Sequence, residues 1–411
     1  MEILGKPSGI SLEQHVKNVL AEGQYLMESF PISFDKYERL IKKDLRKRLK
    51  GAIQYHDDGK KHTEWQAACQ KDYLEFLKWQ SEHGGDFKAF SKAKKGIAGA
   101  NLKQSGIRHE VYSLDLHINN NFSQPVKVAI AAHHSKLSRK HEHRWTDNSS
   151  GRNSSMLWAE FINLNACFRN HHSYKEAILR HYEIAGVRAY LQLSDRRASA
   201  KEENNLLLEF NKFNYTFPDH WQKRNVQKIA QQYSNEELLL MRAPTGAGKT
   251  DAALLWASEQ IKNKKAERLI IAMPTRFTSN ALSINVAESL SSTGLYHSSA
   301  WVNRFYKGIQ SGEIDKELAQ KEHEFARQLS TPVTVCTIDH LLMALTLTRE
   351  DHHTITFNLA NSCVVIDEAD FYDEFTQANI LVLLEALKVL NVPVMIMSAS
   401  LPESSIEING V

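Results

Sequence analysis

The sequence has few cysteines and no long apolar run. Its four cysteines (Cys69, Cys167, Cys336 and Cys363) stand far apart with no C-x-x-C spacing. This excludes a zinc finger or a disulfide framework and fits a reducing compartment. No run of about 18 apolar residues occurs, and the N-terminus has no apolar signal core. These absences predict a cytoplasmic protein.

The chain also lacks a strong charge of either sign. Its formal net charge is +3, with 42% hydrophobic and 24% charged residues, which is ordinary for a globular protein. Bulk charge therefore gives no argument for nucleic acid. The basic clusters at 42–48 and 92–95 are as consistent with solvated helix faces as with phosphate contact. A length of 411 residues predicts at least two domains.

The two halves of the chain differ in their apolar pattern. Residues 11–204 have mostly helical spacing, with loops predicted at 84–106 and 138–155. After residue 205, short β-rich runs alternate with helical ones, and each ends in a polar or glycine-rich turn. This pattern predicts a parallel sheet with functional loops at its strand ends. We therefore predict an all-α domain over 1–204 and an α/β domain over 205–411.

A phosphate-binding motif opens the second half. The segment A-P-T-G-A-G-K-T (243–250) follows an apolar run at 238–241 and precedes a helical pattern. Glycine-rich backbone at a helix N-terminus surrounds phosphate oxygens, a lysine reaches the β- and γ-phosphates, and a hydroxyl ligates Mg²⁺. The candidate nucleotide-binding residues of this segment are Thr245, Gly246, Gly248, Lys249 and Thr250.

A second acidic motif supports this interpretation. The segment D-E-A-D (367–370) follows the apolar run 363–366. Asp367 stands where a Mg²⁺-binding aspartate is expected, and Glu368 is the candidate to polarise the attacking water. The two motifs together predict a site that binds ATP with Mg²⁺.

Histidines and aspartates of the first half suggest a different chemistry. His56-Asp57 lies in H-D-D-G-K, and an isolated pair of this kind is weak evidence. The pattern is stronger because further candidates follow and precede it, and imidazole with carboxylate suits transition metals. The candidate metal ligands are His15, His56, Asp57, His109, His133, His134 and Asp195. Other histidines, among them His117, His141, His143 and His181, are interpreted as exposed or capping residues.

Several later motifs resemble the first RecA-like lobe of superfamily 2 helicases. They are Pro274-Thr275-Arg276, Thr337-Ile338-Asp339 and Ser398-Ala399-Ser400, and Gln227 precedes the phosphate loop. The resemblance implies that Gln227 recognises adenine and that Ser398–Ser400 couples hydrolysis to movement. It also implies contact with single-stranded nucleic acid by Pro274, Thr275, Arg276 and Thr337.

The motif order of the first half resembles the HD superfamily of phosphohydrolases. With the helicase motifs behind it, the chain is similar to the CRISPR-associated helicase-nucleases of type I interference systems. The resemblance implies a first metal on His15, His56, Asp57 and Asp195, and a second on His109, His133 and His134. It also implies that Asp57 bridges the two ions, and that Lys60 stabilises charge on the scissile phosphate. Fe, Mn, Co or Ni is favoured over Mg.

The function implied is a metal-dependent single-stranded DNA nuclease coupled to an ATP-dependent helicase that degrades invader DNA. A crRNA-guided surveillance complex would recruit it. No second-lobe motif follows Ser400, so we expect a truncated chain or a natural half completed by a separate chain that carries the second lobe. Two alternatives stay open: an HD-type nucleotide phosphohydrolase fused to an ATPase module, and a non-catalytic regulatory protein.

Overall fold

The structure is a computed structural model, and it describes residues 2–117, 119–134, 137, 141–146, 171–275, 293–296, 316–346 and 352–399. The chain separates into two compact units. The first unit comprises 1–29, 42–170 and 183–207, and the second comprises 30–41, 171–182 and 208–411. Two segments that precede residue 205, namely 30–41 and 171–182, thus group with the second unit.

The described part of the first unit is helical. A 3₁₀ turn, Asp58–Lys61, follows helix α3 (Leu45–Tyr55). The longest described helix, α10 (His171–Glu202), contributes residues 183–202 to this unit. The α-helices are α1 (Leu12–Ser29), α3 (Leu45–Tyr55), α4 (Thr63–His83), α5 (Phe87–Ala93), α6 (Ala100–Ser105), α7 (His109–Leu116), α8 (Gln124–Ala131), α9 (His143–Thr146) and α10 (His171–Glu202).

Apolar faces and buried ion pairs hold these helices together. Helix α1 buries Val19 and Leu26, which recur at helical spacing. Arg197 Nε of α10 donates to Glu22 Oε2 of α1 at 2.8 Å, and both side chains are buried. A buried, hydrogen-bonded ion pair of this kind fixes the two helices relative to each other.

The predicted loop over 84–106 is wrong, because two short helices, α5 and α6, lie within it. The Asp86 carboxylate accepts from Ala89 N at 2.9 Å and begins α5. The Asp72 carboxylate accepts from the backbone N–H of Leu102 at 3.0 Å, in the first turn of α6. The side chains of one local aspartate and one distant aspartate thus stabilise the starts of two helices whose apolar pattern is too weak to predict them. Of the predicted loop at 138–155, only 141–146 is described, and it includes α9.

The second unit contains a parallel six-stranded sheet in the order β1-β6-β5-β2-β4-β3. The strands are β1 (Leu238–Arg242), β2 (Arg268–Met273), β3 (Thr293–Tyr296), β4 (Val333–Thr337), β5 (Ser362–Ile366) and β6 (Val394–Ser398). The helices are α2 (Pro31–Ile41), the first part of α10 (171–182), α11 (Asn225–Gln232), α12 (Lys249–Lys262), α13 (Lys316–Arg327), α14 (Ile338–Thr346), α15 (His352–Ala360) and α16 (Glu374–Val389). A helical N-terminal region followed by a parallel-sheet domain is the predicted arrangement, and it is confirmed.

The core of the second unit lies between helix α12 and the central strands. Every residue of β2, β5 and β6 is buried, as expected for strands covered on both faces. Trp256 of α12 is fully buried against them. Because all strands are parallel, their carboxyl ends share one edge of the sheet, and the predicted nucleotide motifs follow these ends. Among the described helices, none is both long enough and apolar enough to cross a membrane.

Candidate metal centre and nucleotide pocket

The predicted metal ligands converge within the first unit, although they lie on five separate segments of the chain. The segments are α1, the end of α3, the start of α7, the turn after α8, and α10. Their side chains are buried, except that His109 is partly exposed and His134 is exposed. The seven residues are His15, His56, Asp57, His109, His133, His134 and Asp195.

The Asp57 carboxylate stands at the centre of this cluster and divides it into two groups. Its Oδ1 atom lies 3.3 Å from His109 Nε2 and 3.4 Å from His133 Nε2. Its Oδ2 atom lies 3.3 Å from His15 Nε2 and 3.4 Å from His56 Nε2. Each carboxylate oxygen therefore faces a different pair of histidines, an arrangement that suits a carboxylate bridging two ions.

Asp195, which lies on helix α10, contributes one carboxylate oxygen to each group. Its Oδ1 atom is 3.2 Å from His15 Nε2, and its Oδ2 atom is 3.8 Å from His134 Nε2. His134 itself joins the group formed by Asp57, His109 and His133, whose ligand atoms all lie within 4.8 Å of one another. The structure therefore brings together all seven residues that the motif order singled out.

The ring orientations leave donor atoms directed into the cluster. His56 Nδ1 and His133 Nδ1 donate to the carbonyl oxygens of Ile53 and Ile130, each at 2.7 Å. In the neutral form of each ring, the Nε2 atom therefore carries the lone pair. Within the described part of the chain, the buried Nε2 atoms of His56, His109 and His133 make no hydrogen bond of acceptable geometry. Buried polar atoms without such partners are costly, and a metal ion would satisfy them.

Three supporting contacts were not predicted from the sequence. Glu202 accepts from His15 Nδ1 at 2.9 Å, a carboxylate–histidine contact of the kind that orients metal ligands. Gln192 Nε2 donates to His133 O at 2.9 Å, and Arg188 Nε donates to Ala132 O at 3.1 Å. Helix α10 thus fixes the backbone of the His133-His134 turn. Glu202 lies seven residues after Asp195, on the same helical face, and this spacing was an available signal.

The glycine of H-D-D-G-K is required by close packing. A Cβ atom on Gly59 would lie 1.9 Å from His109 O, a distance that no backbone tolerates. The Ser113 hydroxyl lies beside it, accepts from Gly59 N at 2.8 Å and donates to His56 O at 2.8 Å. Gly59 therefore allows the start of α7, with His109, to approach the His56-Asp57 turn.

The protonation states of the cluster suit metal ligation. Burial opposes ionisation of Asp57, but the neighbouring His56 and Lys60 hold its pKa well below the usual range. Burial lowers the pKa of His56 to about 4. Neutral imidazoles and ionised carboxylates are the forms that bind metal.

His133 and His15 are the exceptions within the cluster. Burial opposes the charged form of His133, but its contact with Asp57 raises its pKa. His15 behaves in the same way. Burial alone would lower its pKa, but hydrogen bonds to Asp195, Asp57 and Glu202 raise it to about 10. Together with Lys60, whose Nζ lies 2.6 Å from Asp57 Oδ2, it supplies the positive charge beside the carboxylates. A metal ion binding here would compete with the His15 proton.

A cavity of about 1440 Å³ opens at the carboxyl edge of the sheet in the second unit. It is lined by all the residues assigned to the nucleotide: Gln227, Thr245, Gly246, Gly248, Lys249, Thr250, Asp367 and Glu368. The structure therefore brings together residues from the phosphate loop (243–250), from the D-E-A-D segment and from α11.

Charged groups meet across this cavity. Lys249 Nζ lies 3.3 Å from Glu368 Oε1. Burial raises the pKa of Asp367, while its Oδ1 accepts from Glu368 N at 2.9 Å. The backbone of Glu368 is left-handed, with φ of 52°. Lys249, Asp367 and Glu368 thus have the residue types and placement that a nucleoside triphosphate with Mg²⁺ requires.

Gln227 connects helix α11 to the phosphate loop. Its Oε1 accepts from Arg224 N at 2.8 Å, and its Nε2 donates to Gly248 O at 3.5 Å. Gly248 begins helix α12 with φ of 91°, a conformation that favours glycine. The Arg224 guanidinium donates to Gly246 O; Arg224 was not predicted, and no local motif marks it.

Of the four residues assigned to contact with single-stranded nucleic acid, the structure describes Pro274, Thr275 and Thr337. Pro274 and Thr275 follow β2 and line the nucleotide cavity. Thr337 is the last residue of β4, at the same edge of the sheet. Ser398 Oγ, at the end of β6, donates to Asp370 Oδ1 of the D-E-A-D segment. Arg276 and Ser400 lie outside the described residues.

Comparison with known protein families gives the class of protein that the second unit resembles. Residues 221–408 match the family model described as DEAD/DEAH box helicase. The matched segment lies within the second unit, which contains the cavity and its motifs.

Curated relatives narrow the class. The chain is 32% identical over 172 residues to a CRISPR-associated nuclease/helicase Cas3 of Methanocaldococcus jannaschii, covering 41% of this chain and 24% of that protein. It is also 32% identical over 187 residues to the CRISPR-associated endonuclease/helicase Cas3 of Thermus thermophilus, covering 41% and 20%. The predicted resemblance to CRISPR-associated helicase-nucleases is confirmed.

Solved structures agree on the fold. The crystal structure of T. fusca Cas3 has a TM-score of 0.58 and 20% identity, and the match covers 99% of this chain and 50% of that chain. The fold is thus Cas3-like along nearly the whole sequence. The matches span about a fifth to a quarter of the curated relatives and half of the T. fusca chain.

Proposed function

We propose that the first unit is an HD-type nuclease that cleaves single-stranded DNA with two transition-metal ions. The observation that carries this proposal is that the two oxygens of the Asp57 carboxylate face different pairs of histidines. One oxygen faces His109 and His133, and the other faces His15 and His56, at 3.3–3.4 Å. Two ions held about 4 Å apart supply an activated water and stabilise the leaving oxygen of a phosphodiester.

The protein residues would hold and orient this chemistry. Backbone carbonyls fix the His56 and His133 rings with Nε2 inward, and Glu202 orients His15. Nitrogen-rich ligation favours Fe, Mn, Co or Ni over Mg. Lys60, whose ammonium pairs with Asp57, would be available to a phosphate oxygen of the substrate if Asp57 held a metal ion, and we assign it that role.

The second unit is proposed to bind ATP with Mg²⁺ and to drive movement along single-stranded DNA. In this proposal Lys249 contacts the phosphates, Thr250 and Asp367 hold Mg²⁺, Glu368 polarises water, and Gln227 recognises adenine. A T. fusca Cas3-ATP crystal structure has the same fold, with a TM-score of 0.58. The assigned strand contacts are Pro274, Thr275, Arg276 and Thr337.

The biological role proposed is degradation of invader DNA in CRISPR interference. Its support is that the relatives described above are CRISPR-associated nuclease/helicases. The partners proposed are single-stranded DNA and a crRNA-guided surveillance complex.

The decisive experiment compares two substrates. Circular single-stranded DNA and deoxynucleoside triphosphates are each incubated with the protein and Mn²⁺, Co²⁺ or Ni²⁺, in the absence of ATP. We expect cleavage of the DNA circle, no triphosphate hydrolysis, and loss of cleavage in His56→Ala. Triphosphate hydrolysis without DNA cleavage would instead assign the unit to the nucleotide phosphohydrolases.

The matched control is His83→Ala, which removes an exposed histidine whose ring stacks on Trp79 outside the cluster. This variant is expected to cleave DNA like the unchanged protein. Equal loss in His83→Ala and His56→Ala, or cleavage that survives in His56→Ala, would show that the metal assignment is wrong.

A further inference from the structure

A second histidine cluster lies buried in the second unit. His181 belongs to the first part of α10, and His352 and His353 are the first residues of α15. His352 and His353 are 0% exposed and His181 is 5% exposed. The interpretation of His181 as an exposed or capping residue is therefore wrong.

The three rings are close enough to share one ligand. One ring nitrogen from each residue lies within 4.8 Å of the other two. The ring centroids are 4.3 Å apart for His352 and His353, and 4.9 Å apart for His181 and His353. Nitrogen ligands of a tetrahedral ion with bonds of about 2.0 Å stand about 3.3 Å apart, a spacing that the 4.8 Å limit admits.

A hydrogen-bond relay fixes the tautomer of His181. The Thr356 hydroxyl donates to Ala344 O at 2.9 Å, so it accepts from His181 Nε2–H at 3.0 Å. His181 Nδ1 therefore carries the lone pair. Within the described part of the chain this buried atom has no hydrogen-bond partner, a costly arrangement unless a ligand is bound. The hydroxyl serves as the supporting contact that metal-binding histidines require.

The chemistry of this cluster differs from that of the nuclease candidate. All three donors are imidazoles, a set that suits Zn²⁺, Co²⁺ or Ni²⁺ and disfavours Mg²⁺ and Ca²⁺. Burial lowers the pKa of His181 to about 4, so this ring is neutral near pH 7 and able to bind metal.

We propose that His181, His352 and His353 bind one divalent transition-metal ion of the zinc class, which fastens the first part of α10 to α15. The ion would have a structural role within the helicase unit. Because the three rings are buried, the ion exchanges only when the surrounding helices open. A chelator is therefore expected to remove it slowly from the folded protein and rapidly in denaturant.

The test separates this site from the nuclease cluster. Zinc content is measured by mass spectrometry on the full chain carrying Asp57→Ala, which disables the first cluster, after dialysis against chelator. We expect one retained zinc ion per chain, and its loss when His353→Ala is added. The control is Asp57→Ala with His340→Gln, which removes another buried histidine of the second unit, one that bonds Arg327 O, and which is expected to keep the ion.

X-ray absorption at the zinc edge of the Asp57→Ala protein gives a result that does not depend on the folding of further variants. We expect three imidazole scatterers at about 2.0–2.1 Å. Absence of retained zinc, equal zinc content with and without His353, or coordination by sulfur or mainly by carboxylate oxygen would each overturn the proposal and leave a packed cluster of neutral rings.

Discussion

The candidate metal cluster of the first unit and the nucleotide cavity of the second are built in opposite ways. The metal cluster gathers mostly buried side chains from five segments, and Asp57 is only 1% exposed. The nucleotide cavity is open, and most of its phosphate-binding residues follow one strand along the chain. Both assemble charged groups. The first site buries most of them, whereas the second leaves Lys249 and Glu368 partly exposed and buries Asp367.

This difference indicates which substitutions should damage each site. Buried ligands depend on neighbours that fix their rings and backbone, because a misplaced buried donor cannot be satisfied by water. In the open cavity, Lys249 pairs with Glu368 in the absence of nucleotide, so its charge already has a partner. We therefore expect the metal cluster to be sensitive to changes outside its ligand set, and the cavity to be sensitive mainly to direct contacts.

The largest effect is expected from Asp57→Asn. Removing the charge of the carboxylate shared by both histidine groups should abolish metal-dependent DNA cleavage and leave nucleotide binding unchanged. Cleavage of circular DNA in Mn²⁺ and binding of a fluorescent ATP analogue measure the two properties. The matched control is Asp58→Asn, because Asp58 pairs with His117 and Lys61 outside the cluster. Equal damage in both variants would contradict the assignment of Asp57 as the bridge.

The next effect is expected from Gly59→Ala. Its new methyl group would lie 1.9 Å from His109 O and 2.7 Å from Ser113 N, so backbone must move. We expect destabilisation of about 3 kcal/mol or more and loss of cleavage. Gly51→Ala is the control, since a Cβ there meets nothing within 4 Å and an alanine within α3 is expected to stabilise by about 0.5–1 kcal/mol. Thermal unfolding of both variants decides whether close packing explains this glycine.

A smaller effect is expected from Lys249→Ala in the nucleotide cavity. Loss of a charged contact with the phosphates costs about 1.5–3 kcal/mol, which weakens ATP binding by about 10- to 100-fold. Metal-dependent cleavage in the absence of ATP should be unchanged. Lys262→Ala, at the exposed end of the same helix, is the control for charge. If Lys249→Ala abolishes cleavage without ATP, the two sites are not independent.

The sequence predicted the second unit well because its signals are local. Five apolar runs of the sequence correspond to β1, β2, β4, β5 and β6, each to within one residue at either end. These runs are 238–241, 269–273, 333–336, 363–366 and 394–397. The short strand β3 was missed, because T-G-L-Y contains a glycine and carries little apolar signal. Each of these five strands ends at a functional residue or is followed by one within a few positions, so motif and position could be interpreted together.

The support of the metal cluster could not be predicted in the same way. Ligands such as His15 and Asp195 were identified through resemblance in their order, whereas their partners arise from packing between distant segments. Gln192 contacts a backbone carbonyl 59 residues away, and Ser113 contacts one 57 residues away. Contacts between residues so far apart in the sequence depend on how the helices pack against one another. The apolar periodicity of a single segment does not specify that packing.

The smallest effect tests whether this long-range support matters. Glu202→Gln keeps the shape and an acceptor for His15 but removes the charge beside its Nδ1. Because contacts of this kind typically change metal affinity by about 10- to 100-fold, and the amide retains the hydrogen bond, we expect about a tenfold loss of Mn²⁺ affinity with unchanged maximal cleavage. Glu203→Gln is the control, since that neighbour pairs with Lys6 and Asn205 rather than with a ligand. A metal titration of cleavage separates the two outcomes. If both variants bind Mn²⁺ equally, His15 needs no charged partner, and the metal cluster is less dependent on its surroundings than the comparison with the open cavity implies.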